Sequence, residues 1–235
     1  MTRVLCVAGT NTDIGKTVAA AAVVASARAA GLRVAYVKPA QTGLSPEETG
    51  SDADEIRRLT GEVDVYEFVR LPDPLAPATA ARVAGTQVPA VAEHARRIVD
   101  LASRDDLDLL VVEGAGGLLV RLDADGGTQA DLARELVGHG LNVSFVVVAD
   151  PALGTLNLCA LTQEALDARD LRCEGYVFGS WPAGDIPLAL THNLVDLPHV
   201  TGRPLLGRIP AGAGRLAQRE FVEQAPGWVR LPDAW

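Results

Sequence analysis

Of the 21 basic residues in the chain, only Lys16 and Lys38 are lysines; the other 19 are arginines. Lysine is a compact point charge that can lose its proton when desolvated, whereas arginine is a wide, permanently charged fork. A chain so biased toward arginine is expected to keep lysine mainly where that difference matters, the alternative being chance on a solvated loop. Lys16 closes GTNTDIGKT (9–17), between a short apolar run and a long alanine-rich segment. In that context backbone N–H groups at a helix start face an anion, the lysine reaches β/γ-phosphates and the next hydroxyl, Thr17, ligates magnesium. The strict GxxxxGK[ST] spacing puts its first glycine at Thr10, one residue after Gly9, so the strand-to-helix context carries the nucleotide-binding reading.

Lys38 follows the apolar run RVAYV, and Pro39 biases it away from helical geometry. Its ammonium is placed to reach a γ-phosphate or a second, anionic substrate, with Thr42, followed by Gly43, in the same cleft. LDLLVVEGAGG ends an apolar run with Glu113, a candidate magnesium carboxylate, and the next residues, Gly114, Ala115 and Gly116, suggest close backbone approach to the nucleotide. SDADEIRRLTG (51–61) opens with Ser51, Asp52 and Asp54; spacing alone leaves Asp52 open between helix capping and metal binding.

These residues need a frame that brings them to one edge. Apolar, β-rich runs recur at 3–9, 33–37, 107–114, 142–150, 173–179 and 203–210, and helix-like segments at 16–31, 88–104 and 128–140 separate several of them. Strands apolar on both faces and alternating with helices imply an α/β fold: one doubly wound, mostly parallel sheet covered on both sides, a single P-loop domain over 1–235. In such sheets ligands bind at the carboxyl ends of the strands, where the phosphate loop, Lys38 and Glu113 all fall. LPDPLAPATAA (71–81) is expected to be a loop broken by its three prolines, either a connector or part of a site wall.

Composition narrows the function. A net charge of -9 argues against nucleic acid and does not point to anionic membranes. Cys6, Cys159 and Cys173 form no CxxC pair and read as reduced core thiols, which with the absence of a signal-peptide pattern or membrane span makes the cytoplasm the expected compartment. His94, His139, His192 and His199 lack metal-ligand spacing and are expected at the surface or at helix ends.

GTNTDIGKT, VKPAQTG, SDA, VEGAGG, GTLN and PLLGRIP, in this order over about residues 3–212, resemble the dethiobiotin synthetase family. GTxTxxGKT alone is shared with cobyrinic and cobyric acid synthases; VKP with VEGAGG downstream narrows the choice. The resemblance implies a homodimer that closes a ureido ring on 7,8-diaminononanoate using carbon dioxide, ATP and magnesium. It implies that Asp13, Ile14, Gly15, Lys16, Thr17 and Val18 hold the phosphates, that Thr17, Asp52 and Glu113 bind magnesium, and that Lys38, with Lys16, is catalytic. Thr12 and Thr42 would contact the diamine or its carbamate. Gly154, Thr155, Leu156 and Asn157 would receive the substrate's tail carboxylate from the partner subunit, and a helix starting in PALGTLN would offer free N–H groups for it or be plainly capped. The base would lie near Gly179 and Ser180 and near Pro210, Ala211 and Gly212. Many members carry asparagine where this chain has Ser180, so the resemblance does not imply strict adenine selectivity and leaves other nucleoside triphosphates open beside ATP. A switch ATPase like the plasmid-partition and septum-site proteins would carry another lysine early in the loop, and residues 9–14 contain none. With only Lys16 and Lys38 available a guanine-reading NKxD motif cannot exist, and an amidotransferase-type ligase would need far more chain.

Overall fold

The computed structural model describes residues 2–232. In chain order the elements are β1 (Arg3–Gly9), α1 (Lys16–Ala29), β2 (Val34–Lys38), β3 (Gln41–Thr42), α2 (Asp52–Thr60), β4 (Asp64–Glu67), β5 (Arg70–Leu71), α3 (Pro77–Ala84) and α4 (Val91–Ala102). Then follow β6 (Leu109–Glu113), α5 (Gln129–Gly138), β7 (Asn142–Ala149), α6 (Thr155–Asp167), β8 (Cys173–Trp181), α7 (Leu188–Thr201), β9 (Leu205–Pro210) and α8 (Gln218–Gln224). Seven strands form one sheet in the order β4-β2-β6-β1-β7-β8-β9, every pairing parallel. The α/β expectation holds, and the sheet gains β4, which the sequence reading did not find.

Side-chain alternation divides the core in two. From β1, Val4, Cys6 and Ala8 join a cluster under α4, α5 and α6, while Leu5 and Val7 join Tyr36, Leu109 and Val111 under α1, α2 and α8. Helix α1 is buried from Ala19 to Ala27, and its alanines let it lie close over the sheet centre. The strand order reverses around β1: β2 lies to one side of it beyond β6, and β7 lies on the other. That switch point is where an open α/β sheet leaves a crevice at the strand ends.

Two expectations are corrected. Segment 71–81 is not one loop: Leu71 pairs in β5 with Thr42 of β3, and α3 starts at Pro77. Proline is tolerated in a helix's first turn, where its missing N–H has no intrahelical partner to lose. His94 is not at the surface; it is fully buried in the first turn of α4. Its ring stacks on Phe68 at 5.9 Å, with the Arg97 guanidinium 4.1 Å from the centre of the Phe68 ring, and neither ring nitrogen finds a partner. The three cysteines are buried and free, as expected. No helix among the described residues is long and apolar enough to cross a membrane.

Burial, aided by the Arg97 charge, lowers the His94 pKa from 6.5 to about 4. The unfolded chain therefore takes up this proton first, so the stability His94 confers is intact above about pH 6.5 and is lost as pH falls toward 4. Replacing His94 by leucine should reduce the unfolding free energy lost between about pH 7 and 5, measured by urea denaturation, by roughly 2 kcal/mol relative to wild type. Equal pH dependence in the two proteins would exclude this account.

Candidate active site

The carboxyl end of β1 turns into α1 through a loop in which Asp13 (φ 55°) and Gly15 (φ 87°) take left-handed conformations. Gly15 is the residue before α1 and no side chain caps that helix, so its first N–H groups point into the loop. The buried Lys16 ammonium donates to the Asn11 carbonyl at 2.9 Å, and burial lowers its pKa despite nearby Glu113. The loop is shaped from outside as well. A Cβ on Gly179, at the end of β8, would overlap the Ile14 carbonyl, and one on Gly15 would sit 2.7 Å from the Gly179 oxygen.

Lys38 is the last residue of β2, and the register Val37↔Val112 brings it beside Glu113, the last residue of β6. Its ammonium, 4 % exposed, lies 2.5 Å from Asp52 Oδ2 and 2.9 Å from Glu113 Oε1, and donates at 3.0 Å to the Gly114 carbonyl. Burial works against the charge, but Glu113 and Asp52 outweigh it and hold Lys38 above the ordinary lysine value. Burial likewise works against ionised Asp52, yet Lys38 carries its pKa below the usual carboxylate value, whereas for Glu113 burial prevails and the pKa is raised. Thr17 Oγ1 donates to Glu113 Oε1 at 2.9 Å.

The capping alternative for Asp52 in SDADEIRRLTG is excluded by this geometry. Ser51 caps α2 and completes a capping box with Asp54, which leaves Asp52 free to face Lys38. Gln41, which the sequence reading passed over, accepts from the Asp52 backbone N–H at 3.0 Å and donates to the Thr42 carbonyl at 2.9 Å, tying the start of α2 to β3. Tyr36, also passed over, donates to Glu113 Oε2 at 2.8 Å. Strand alternation could have found it, since Tyr36 shares a face with Lys38 two residues on.

One cavity of about 760 Å³ is lined by Thr12, Asp13, Gly15, Lys16, Thr17, Val18, Lys38, Thr42, Asp52, Glu113, Ala115 and Gly116. The segment from Pro74 to Pro77 forms part of its wall, as the second reading of the proline-rich stretch allowed. Ile14 and Gly114 lie behind the wall, contributing backbone contacts to Gly179 and Lys38. Gly179 packs against the phosphate loop, and the remaining expected residues lie apart. Pro210 and Ala211 border a separate cavity of about 570 Å³ beside β9, joined to β8 by a 2.7 Å bond from the Ala211 N–H to the Trp181 carbonyl. Ser180 is exposed, and Gly212 (φ 85°) follows the same turn. Gly154 precedes α6, which has no side-chain cap, but the Thr155 hydroxyl turns inward to Cys159 Sγ at 3.6 Å, leaving only backbone and the exposed Asn157 to face outward.

Thr17, Asp52 and Glu113 offer one hydroxyl and two carboxylates, and among the described residues no cluster of three or more His, Cys, Asp or Glu side chains could hold a metal. So sparse a set of hard oxygen donors suits magnesium, which takes its remaining ligands from phosphates and water.

A parallel sheet with a lysine-bearing phosphate loop at its switch point defines a P-loop ATPase fold. Solved structures agree: the chain aligns over 96 % of its length with 86 % of the septum site-determining protein MinD from Pyrococcus horikoshii (TM-score 0.56, 17 % identity). It also aligns over 96 % of its length with 65 % of chloroplast FtsY from Physcomitrella patens (TM-score 0.53, 17 % identity). Residues 3–214 match the family described as an AAA domain. An ATP-dependent dethiobiotin synthetase BioD from Streptomyces coelicolor is 50 % identical over 97 % of this chain and 92 % of its own length. One from Frankia casuarinae is 53 % identical over 94 % of this chain and 89 % of its own. The chain belongs to the ATP-dependent dethiobiotin synthetase family.

If Gly179 shapes the phosphate loop by contact, Gly179→Ala should weaken ADP binding about tenfold in calorimetry, because the added methyl must displace backbone. Gly138→Ala, at a site with open space, should bind as wild type does; equal affinities for all three proteins would refute the contact.

Proposed function

We propose that this ATP-dependent synthetase of biotin biosynthesis carboxylates 7,8-diaminononanoate with carbon dioxide and closes its ureido ring in the cavity between the phosphate loop and Lys38. The observation that carries the reading is the convergence of Lys16, Lys38, Thr17, Asp52 and Glu113 on one cavity. One substrate amine adds to carbon dioxide and loses a proton, giving a carbamate. The γ-phosphoryl group passes to a carbamate oxygen as its bond to ADP breaks. The second amine then attacks the carbamoyl carbon, phosphate leaves with the carbon–oxygen bond, and a proton is lost.

Negative charge gathers on oxygen at each step, and this chain supplies fixed positive charge to meet it, as phosphoryl transfer requires. Lys16 and the backbone N–H groups from Asp13 to Val18 bind the phosphates. Lys38 would face the carbamate, and Thr12 and Thr42, which line the same cavity, would orient the diamine. Thr17, Asp52 and Glu113 would hold magnesium, which supplies charge neutralisation at the phosphate oxygens. Gly114, Ala115 and Gly116 allow the nucleotide close backbone approach, while Gly179, Ser180, Pro210, Ala211 and Gly212 form the base-side rim.

A second copy of the chain completes the site. Leu119, Leu153, Leu158 and Leu161, the last three at and just before α6, are 46 %, 90 %, 38 % and 55 % exposed, an apolar surface that supports a homodimer. It adjoins the α6 start, whose Gly154, Thr155, Leu156 and Asn157 would take the substrate's tail carboxylate from the neighbouring subunit. Such an enzyme needs no membrane or nucleic acid and would work in the cytoplasm.

ATP hydrolysis with bicarbonate and magnesium should depend on the diamine; hydrolysis indifferent to it would reject the assignment. Lys38→Arg should retain ADP binding while turnover falls by about 100-fold, and near-normal turnover would remove Lys38 from the mechanism. Leu153→Asp combined with Leu161→Asp should convert the dimer to monomer in analytical ultracentrifugation, and an unchanged mass would move the interface elsewhere.

A further inference from the structure

Tyr36 sits in the middle of β2 with its side chain fully buried, in a core cluster of valine, leucine, isoleucine and alanine under α1 and α2. A phenylalanine would fill the same volume. A buried tyrosine hydroxyl needs a partner, and here the partner is Glu113 Oε2 at 2.8 Å. The other carboxylate oxygen, Oε1, receives both Thr17 and Lys38 at 2.9 Å. The two oxygens of Glu113 are therefore assigned different neighbours: one is turned into the core, the other toward the phosphate loop.

From these contacts we infer that Tyr36 is a positioning residue for Glu113: by binding Oε2 it fixes the carboxylate rotation that presents Oε1 to the cation shared with Thr17. The step rests on Glu113 serving as a magnesium carboxylate. A carboxylate at the metal is itself held by hydrogen bonds from groups behind it, and loss of such a partner lowers metal affinity. Without the hydroxyl, Oε2 would be a buried acceptor with no donor, and Glu113 could rotate toward Lys38 or Thr17 to satisfy both oxygens at once. Tyr36 would then act on the metal without touching it, through one bond to one oxygen.

The test is calorimetric titration of ADP into the full-length protein at graded magnesium chloride concentrations, with EDTA as the metal-free point. Tyr36→Phe should raise the magnesium concentration at half-effect about tenfold, with ADP affinity in EDTA unchanged, a split that a general packing defect would not produce. Glu113→Gln should remove most of the magnesium effect, and adding Tyr36→Phe to it should change nothing further. A wild-type magnesium midpoint in Glu113→Gln would sink the metal reading itself. A response in Glu113→Gln with a wild-type midpoint in Tyr36→Phe would overturn only the role of Tyr36, as would an additional loss in the double variant. Should Tyr36→Phe not fold, the wild-type protein still decides. It has three tyrosines, so carbon-13 labelling of the ring Cζ gives three resonances, assigned with Tyr66→Phe and Tyr176→Phe. The Tyr36 signal should move when magnesium is added to the ADP complex of wild type and stay in place in Glu113→Gln; a stationary wild-type signal would overturn the inference.

Discussion

A single buried ammonium, that of Lys38, holds together two carboxylates that could not otherwise share the same space. Asp52 and Glu113 reach it from a helix start and a strand end that are 61 residues apart in sequence; Lys38 and Glu113 are buried, while Asp52 is 30 % exposed toward the cavity. Burying charges costs several kcal/mol per ion, and removing one partner of such a group typically costs about 3–5 kcal/mol because the rest is left uncompensated. The arrangement is therefore a poor way to stabilise a fold. It is a good way to keep charge at one point of a crevice, and the surrounding structure is organised to make that point possible.

The parallel sheet does most of this by register. Once β2, β6 and β1 are aligned, Lys38 and Glu113 end on the same edge and face as the loop after β1, and Thr17 in the first turn of α1 falls within hydrogen-bond reach of Glu113. The alanines of α1 bring that helix down onto the sheet, and the contact between Gly179 and Ile14 presses the loop from the far side. The capping box of α2 takes the helix-end bonding onto Ser51 and Asp54, and Gln41 fixes the same helix start from β3. Asp52 is thereby left to the site.

Long apolar runs and the loop motifs were legible in the sequence because each rests on local rules: strand runs apolar on both faces, a glycine before a helix, an acid at a strand end. Strand β4 is only four residues long, with Val65 and Tyr66 flanked by Asp64 and Glu67, too short a run to stand out, and it exists through its pairing with β2. The proline-rich segment misled because Pro77 marks a helix start rather than a break. His94 misled because its polarity says surface, while its place on the inner face of α4 is set by helical phase. The bonds of Tyr36 and Gln41 depend on tertiary register, which spacing along one chain does not record.

The two lysines differ most in how many of their donors are already engaged. An ammonium has three N–H groups, and Lys38 faces three oxygens, from Asp52, Glu113 and Gly114. Three acceptors gathered around one point suit a tetrahedral ammonium, whereas the planar fork of arginine spreads its donors and needs more room. Lys16 makes one bond, to the Asn11 carbonyl, and its pKa is lowered by burial where that of Lys38 is raised. A buried, under-compensated ammonium gains most from an arriving anion, which suits Lys16 to the phosphate role proposed for it. In the role proposed for it, Lys38 would meet a carbamate only if other positive charge took over its carboxylates. The residue proposed for the nucleotide is thus poised, while the one proposed for the second substrate is held by bonds already present in the fold.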